Sequence, residues 1–248
     1  MNEVLGVDIG GTGIKIGLVD VRTGSLIGDA IRVKTPKDSS PENVAEIIHE
    51  NCEYLNYKGN IGIGFPGVIQ GDFIRVCNNL SSDWIDLNAS EYFSKQLSCN
   101  VTLLNDVDAA GYGEMFSGAG KGNKDKVIVI CIGTGIGTAL FYNGKLFPGT
   151  EFGQMFLRNK KVAEKFAANS TRKNLDLSWE EWGSRLNIFL TEVYSLIYPD
   201  LIILSGGVSK KHEKYQDYLK LDCEIQFALH KNRAGVIGAA MAAANLDL

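Results

Sequence analysis

The sequence predicts an α/β protein built from two related lobes with a central cleft. Three observations carry that expectation. A glycine-rich hairpin occurs twice, as Asp8-Ile9-Gly10-Gly11-Thr12-Gly13-Ile14-Lys15 and as Gly133-Thr134-Gly135-Ile136-Gly137-Thr138. Around each copy the same order of elements recurs, three short strands followed by helix, strand and helix. An Asn105-Asp106 pair stands between the two copies. A single glycine turn is only a turn, whereas two in equivalent places of a repeat can form the halves of a phosphate clamp. Glycine lets backbone N–H groups approach an anion closely, and threonine adds a hydroxyl donor.

In chain order, residues 4–7, 15–19 and 26–33 read as strands, with Arg22-Thr23-Gly24 as the second turn. Pro41 opens a helix over residues 41–55 that puts Val44, Ile47 and Ile48 on one apolar face. Residues 61–65 form a buried strand ending at Pro66-Gly67, followed by helix 89–97, strand 101–104 and helix 108–116. The second half repeats the plan with strands 126–132, 137–142 and 145–146 and helices near 162–169 and 179–198. Strand 201–204, helix 208–219, strand 224–227 and helix 234–244 close it. Residues 1–107 are expected to form the first lobe and 108–231 the second. The final helix, 232–248, is expected to return to the first lobe, which otherwise lacks a second crossover helix.

Composition removes several classes of function. The 248 residues suit one large domain or two lobes of about 100–150 residues. With 25 Lys+Arg against 29 Asp+Glu the net charge is −4, which argues against a general nucleic-acid surface. The five cysteines, at 52, 77, 99, 131 and 223, are scattered without a C-x-x-C pair. That pattern predicts reduced thiols in the cytoplasm and no structural zinc. No basic leader, signal core or apolar run of the roughly 18–20 residues a membrane helix needs is evident, so a soluble, cytoplasmic protein is expected.

With both hairpins, the central Asn-Asp and Leu204-Ser205-Gly206-Gly207-Val208 in place, the sequence resembles the sugar kinases of the ROK family. Within that family it is most similar to the polyphosphate glucokinase branch. The resemblance is collinear over nearly the whole chain, through Phe65-Pro66-Gly67-Val68, Ala109-Ala110-Gly111, Thr150-Glu151 and Pro199-Asp200-Leu201. It implies the actin-like ATPase (ribonuclease H-like) fold. It also implies phosphoryl transfer from polyphosphate or ATP, with Mg²⁺, to the 6-hydroxyl of glucose or a related hexose. A homodimer is implied by the same analogy, whereas DNA or membrane partners are not expected. The alternative is a catalytically weakened relative that binds sugar or phosphate without turnover.

Asp106 is the catalytic candidate. It ends a strand and starts a helix, where a side chain is exposed, and transfer to an alcohol needs a carboxylate to accept the hydroxyl proton. Judged locally, Asp106 can equally cap the helix beginning at Val107. The resemblance gives Asn105 a sugar hydroxyl to hold, with a turn amide as the alternative. It gives Asp8 a water-mediated hold on Mg²⁺, since magnesium keeps much of its hydration; otherwise Asp8 bonds the following turn. Gly10, Gly11, Thr12, Gly133, Thr134 and Gly135 are expected to supply backbone and hydroxyl hydrogen-bond donors to the donor phosphates, or serve tight hairpin chemistry alone. Lys15 can neutralise phosphate charge or simply face solvent. Gly206 and Gly207 match the nucleotide-side loop of the superfamily, or form a plain helix-entry turn.

The sugar side departs from its relatives. The family shows Glu-x-Gly-His after the second hairpin, continued by Leu-Glu-Leu in the polyphosphate branch, and here the stretch reads Glu151-Phe152-Gly153-Gln154-Met155-Phe156-Leu157. Glu151 is kept, Gln154 replaces the histidine, and Phe156 replaces the glutamate. Glutamine can still exchange hydrogen bonds but cannot titrate. Gly67 and Asn78 or Asn79 fall where relatives line the sugar pocket. The basic runs 121–126, 158–165 and 210–214 can form a track for polyphosphate or plain solvated faces. Trp179 and Trp182 are expected to fill the core.

Overall fold

Alternating burial sets the first sheet. The computed structural model describes residues 2–244, and the chain divides by its contacts into two units, Met1–Ser117 with Arg233–Leu248, and Gly118–Asn232. In the first unit β1 (Glu3–Ile9), β2 (Ile14–Asp20) and β3 (Ser25–Val33) form an antiparallel meander, extended by β4 (Ile61–Phe65) and β7 (Val101–Asn105) in parallel. The sheet order is β3-β2-β1-β4-β7. Leu5, Val7 and Ile9 face a core with Val44, Ile48, Trp84 and Phe93, supplied in part by α1 (Pro41–Tyr54) and α2 (Ala89–Leu97). Each fully buried side chain of this size stabilises by about 1.5–3 kcal/mol.

The alternate residues of β1, namely Val4, Gly6 and Asp8, point to the other face, as a period of two requires. There α7 (Ala234–Ala243) crosses β1 and β4 and packs closely on α3 (Asp106–Ser117). Small residues make the approach possible: a Cβ on Gly6 would overlap the Val236 carbonyl, and one on Gly62 the Ala239 carbonyl. Gly238 meets the Ala109 carbonyl of α3 in the same way. Val4, Val19, Val236, Ile237 and Met241 complete a second apolar cluster on this face.

The second unit repeats the topology. β8 (Val127–Ile132), β9 (Ile136–Tyr142) and β10 (Lys145–Phe147) form the meander, and β11 (Leu201–Ser205) and β12 (Glu224–Phe227) extend it in parallel. The order β10-β9-β8-β11-β12 is that of the first sheet. Its core gathers Ile128, Ile130, Ile202 and Leu204 with Trp182, Leu186 and Phe189 of α6 (Trp179–Ile197). Ser178 starts α6 with a capping box, accepting from Glu181 N–H while the Glu181 carboxylate accepts from the Ser178 N–H.

Several expectations change. The boundary expected at residue 107 falls after Ser117, because α3 stays with α7. Residues 245–248 of the expected last helix lie outside the described residues. The helix expected near 162–169 is two short ones, α4 (Ala163–Ala167) and α5 (Asn169–Asn174), parted by extended backbone at Ala168. The helix expected over 208–219 is two 3₁₀ segments, Gly207–Lys214 and Gln216–Tyr218. The break at Tyr215, φ −140°, puts its ring edge-on to Trp182 at 4.9 Å in the core. A small hairpin, β5 (Val68–Gln70) and β6 (Phe73–Val76), was not expected; Gly71 turns it with φ +62°. Among the described residues no helix is long and apolar enough to cross a membrane.

Candidate active site

In the first unit the predicted residues gather at the carboxyl ends of β1, β4 and β7, the edge where ligands bind in parallel α/β sheets. Asp8 is in register with Gly64 of β4, and Gly64 with Leu104 of β7. At about 4.8 Å per strand, Asp8 and the end of β7 lie about 10 Å apart along that edge. Gly64 also admits the start of α3: a Cβ there would stand 3.5 Å from the Asp106 Cα.

Asn105, rather than Asp106, supplies the cap of α3. Its Oδ1 accepts from the N–H of Val107 at 2.8 Å and of Asp108 at 3.2 Å. Its Nδ2 donates to the Gly67 carbonyl at 2.9 Å, which ties the Pro66-Gly67 turn to the helix start. Asp106 stands half-buried as the first residue of the helix, while Asp108 is buried in the same turn. Most of the Asn105 amide serves this scaffold, leaving one Nδ2 hydrogen for a ligand.

Asp8 and Lys15 face each other across the first hairpin and pair at 2.5 Å, Nζ to Oδ2. Lys15 therefore spends its charge on Asp8 first. A Cβ on Gly235 would come within 2.8 Å of the Asp8 carboxyl carbon, so the carboxylate sits on the first turn of α7, whose dipole favours negative charge. Gly10 N–H closes the hairpin on the Gly13 carbonyl at 3.1 Å, and the Thr35 hydroxyl donates to the Gly10 carbonyl at 2.5 Å. Gly11 and Thr12 are exposed at the tip, and a Cβ on Gly11 would stand 3.1 Å from the Asn79 Cβ. No group of three or more His, Cys, Asp or Glu that could hold a metal occurs among the described residues. One carboxylate plus phosphate oxygens and water is a normal magnesium donor set, and Asp8 with Oδ1 available beyond its lysine fits it.

The second unit carries the other loops on adjacent parallel strands. Gly133 N–H bonds the Gly135 carbonyl at 3.0 Å, and Ser170 ties α5 to the turn through its Oγ on the Thr134 carbonyl at 2.5 Å. Gly206, φ +85°, packs against Ile132, so the Gly206-Gly207 loop lies beside this hairpin. Gly133 and Gly207 are neither crowded nor at positive φ. Neither position is glycine for lack of room or for a positive φ, and the space beside each is open to a ligand, with the Gly133 N–H itself serving the turn.

The Glu151–Gln154 stretch is clamped onto β9. Thr138 Oγ donates to the Thr150 carbonyl at 2.8 Å, and Thr150 Oγ returns a bond to the Thr138 carbonyl at 2.9 Å. Gly153 lies so close to the Ile136 carbonyl that any Cβ would overlap it. Glu151 and Gln154 remain exposed, and Phe156 is 72% exposed. Sequence reasoning missed Glu164. Its Oε2 would lie 2.5 Å from a Cβ on Gly135, against the second hairpin. Loss of hydration pushes the Glu151 carboxyl up, and the Glu164 charge adds to the shift. Two neighbouring carboxylates suit a polyhydroxyl ligand better than a phosphate.

A model of the ROK family matches residues 4–155. The chain is 40% identical over 238 residues to a polyphosphate glucokinase of Mycobacterium tuberculosis, covering 96% of this chain and 89% of that one. It superposes with a TM-score of 0.90 on an inorganic polyphosphate/ATP-glucomannokinase from Arthrobacter sp. strain KM, 36% identical, over 99% of each chain. A ROK family glucokinase from Streptomyces griseus, solved with glucose and AMPPNP, shares the fold with a TM-score of 0.81 at 23% identity, over 98% of this chain and 100% of that one.

Proposed function

This chain belongs to the ROK family and has its actin-like ATPase fold, and from that premise we propose that it is a sugar kinase. It transfers a phosphoryl group from polyphosphate or ATP to the 6-hydroxyl of glucose or a related hexose. The observation that supports this reading is the start of α3, where Asn105 caps the helix and Asp106 follows it at the ligand edge of the sheet.

Asp106 orients the sugar hydroxyl and accepts its proton as the O–P bond forms, a step an ordinary carboxylate can perform because the proton moves late. The two hairpins and the Gly206-Gly207 loop hold donor phosphates through the N–H groups of Gly11, Gly135, Gly206 and Gly207 and the Thr12 and Thr134 hydroxyls, while the N–H groups of Gly10 and Gly133 close the hairpins. Asp8 is the residue that would hold Mg²⁺, which supplies charge neutralisation on the donor, and Lys15 keeps Asp8 oriented. Asn79, the remaining Asn105 N–H and the Gly67 turn take sugar hydroxyls in the first unit. Glu151, Gln154 and Glu164 do so in the second. Gln154 supplies hydrogen bonds without charge, which supports a hexose of less defined identity than glucose alone. A homodimer and a cytoplasmic location belong to the same reading and rest on analogy with the family.

Asp106→Asn keeps the shape and removes the base. A coupled assay should lose turnover while the circular dichroism spectrum and melting profile stay parental; retained turnover would refute the assignment.

A further inference from the structure

Trp179 was expected in the core, yet it is half-buried and ringed by cations. The Arg172 guanidinium lies 4.1 Å from its ring centroid, Lys214 Nζ 5.8 Å and Lys211 Nζ 6.0 Å. One cation–π contact at an exposed site contributes about 0.5–1 kcal/mol, and three like charges around one ring repel each other. No carboxylate lies within ion-pair distance of Arg172, Lys211 or Lys214 among the described residues. Arg172 Nε donates to Asn169 Oδ1 at 3.2 Å, which fixes the guanidinium without neutralising it. Such a cluster is held ready for a multivalent anion.

Its place names the anion. Arg172 follows two residues after Ser170, which is bonded to Gly133 and Thr134 of the second hairpin. Lys211 and Lys214 lie on the 3₁₀ segment that leaves directly from Gly206-Gly207. Both candidate phosphate loops of this unit thus lead within a few residues to the same indole. The geometry points to a docking track for the distal phosphates of polyphosphate, in which Arg172, Lys211 and Lys214 hold the chain beyond the units gripped by the glycine loops. This rests on the kinase reading above and extends it to the donor. A nucleotide's charge ends at its phosphates, whereas polyphosphate carries charge on every further unit. The indole is a poor platform for a base, because Tyr215 already stacks on it at 6.0 Å and 18° and the guanidinium covers it as well.

Lys211 and Lys214 are exposed, so Lys211→Ala/Lys214→Ala should fold normally. At about 1 kcal/mol per lost charge contact, KM for long-chain polyphosphate should rise about tenfold or more, while KM for ATP and for the hexose stays within about twofold. The salt dependence with polyphosphate should weaken, and Lys211→Arg/Lys214→Arg should remain near parental. An unchanged KM for polyphosphate, or an equal rise with ATP, would overturn the track. So would a parental enzyme that uses ATP but not polyphosphate, and that result leaves the kinase reading standing. If neither donor supports turnover, the kinase reading fails instead. Tryptophan-fluorescence titration with polyphosphate still decides the track, tenfold weaker binding by the double alanine variant supporting it and equal affinity overturning it.

Discussion

The two units share one sheet order but divide the chemistry unequally. In the first, the parallel strands end in acids: Asp8 near the end of β1 sits on the first turn of α7, and Asp106 follows β7 and opens α3. In the second, the equivalent strand ends carry open glycines, and the segments leaving them carry Arg172, Lys211 and Lys214. What differs is the packing over each sheet. A small-residue helix, α7, presses on β1 and β4 and brings its N-terminus to Asp8. In the second unit 3₁₀ turns follow β11 and present lysines. The duplication of the fold therefore supplies two scaffolds, each with a glycine hairpin, and the elements laid on each decide whether carboxylates or cations stand beside it.

The most damaging way to test this division is Asp106→Asn, which should lower kcat by about 10²–10⁴-fold at constant stability, the range for a lost general base. A glycine pair separates packing from ligand approach. Gly62→Ala places a methyl into the Ala239 carbonyl and should cost about 3 kcal/mol or more in urea unfolding. Gly133→Ala meets open space and should leave the unfolding midpoint unchanged while raising KM for the phosphoryl donor. If Gly133→Ala destabilises as much as Gly62→Ala, the hairpin glycine is structural.

Asn105→Ala removes the α3 cap and the tie to Gly67, and should lower stability by about 1–2 kcal/mol with a fall in kcat, as the base loses its support. Asn105→Asp keeps the cap acceptor and should recover most of the stability. The smallest effect is electrostatic. The folded Glu151 carboxyl is held above its ordinary 4.5. Its stabilising contribution is therefore complete below that value and is lost as pH rises through the raised folded value. Glu151→Gln should raise the melting free energy at pH 7 by a few tenths of a kcal/mol, since the group is exposed and screened, and the gain should vanish at pH 4. Sugar affinity should fall in the same variant.

Most of the fold was legible because the strands are short apolar runs bounded by glycine, and helix starts such as Ser40-Pro41 and Ser178 carry their own caps. The failures have local causes. Residues 208–219 contain three lysines and little apolar periodicity, and tertiary demand for the Tyr215 ring breaks the helix there. The start of α3 was placed at 108, with Asp106 as the candidate cap, whereas Asn105 reaches the Val107 and Asp108 amides and the helix begins at Asp106. Glu164 was hidden inside a basic run, 13 residues beyond Glu151, and only the contact with Gly135 brings it to the site. Phe156, which stands where relatives have glutamate, faces solvent.

The measurement that tests the account most directly is a donor-by-acceptor matrix: long-chain polyphosphate and ATP, each with glucose, mannose and other hexoses, followed by ³¹P NMR of the products. The account predicts a hexose 6-phosphate from at least one pair, and none from the same pair with Asp106→Asn. Hexose binding without any phosphorylated sugar, across every pair, would contradict it.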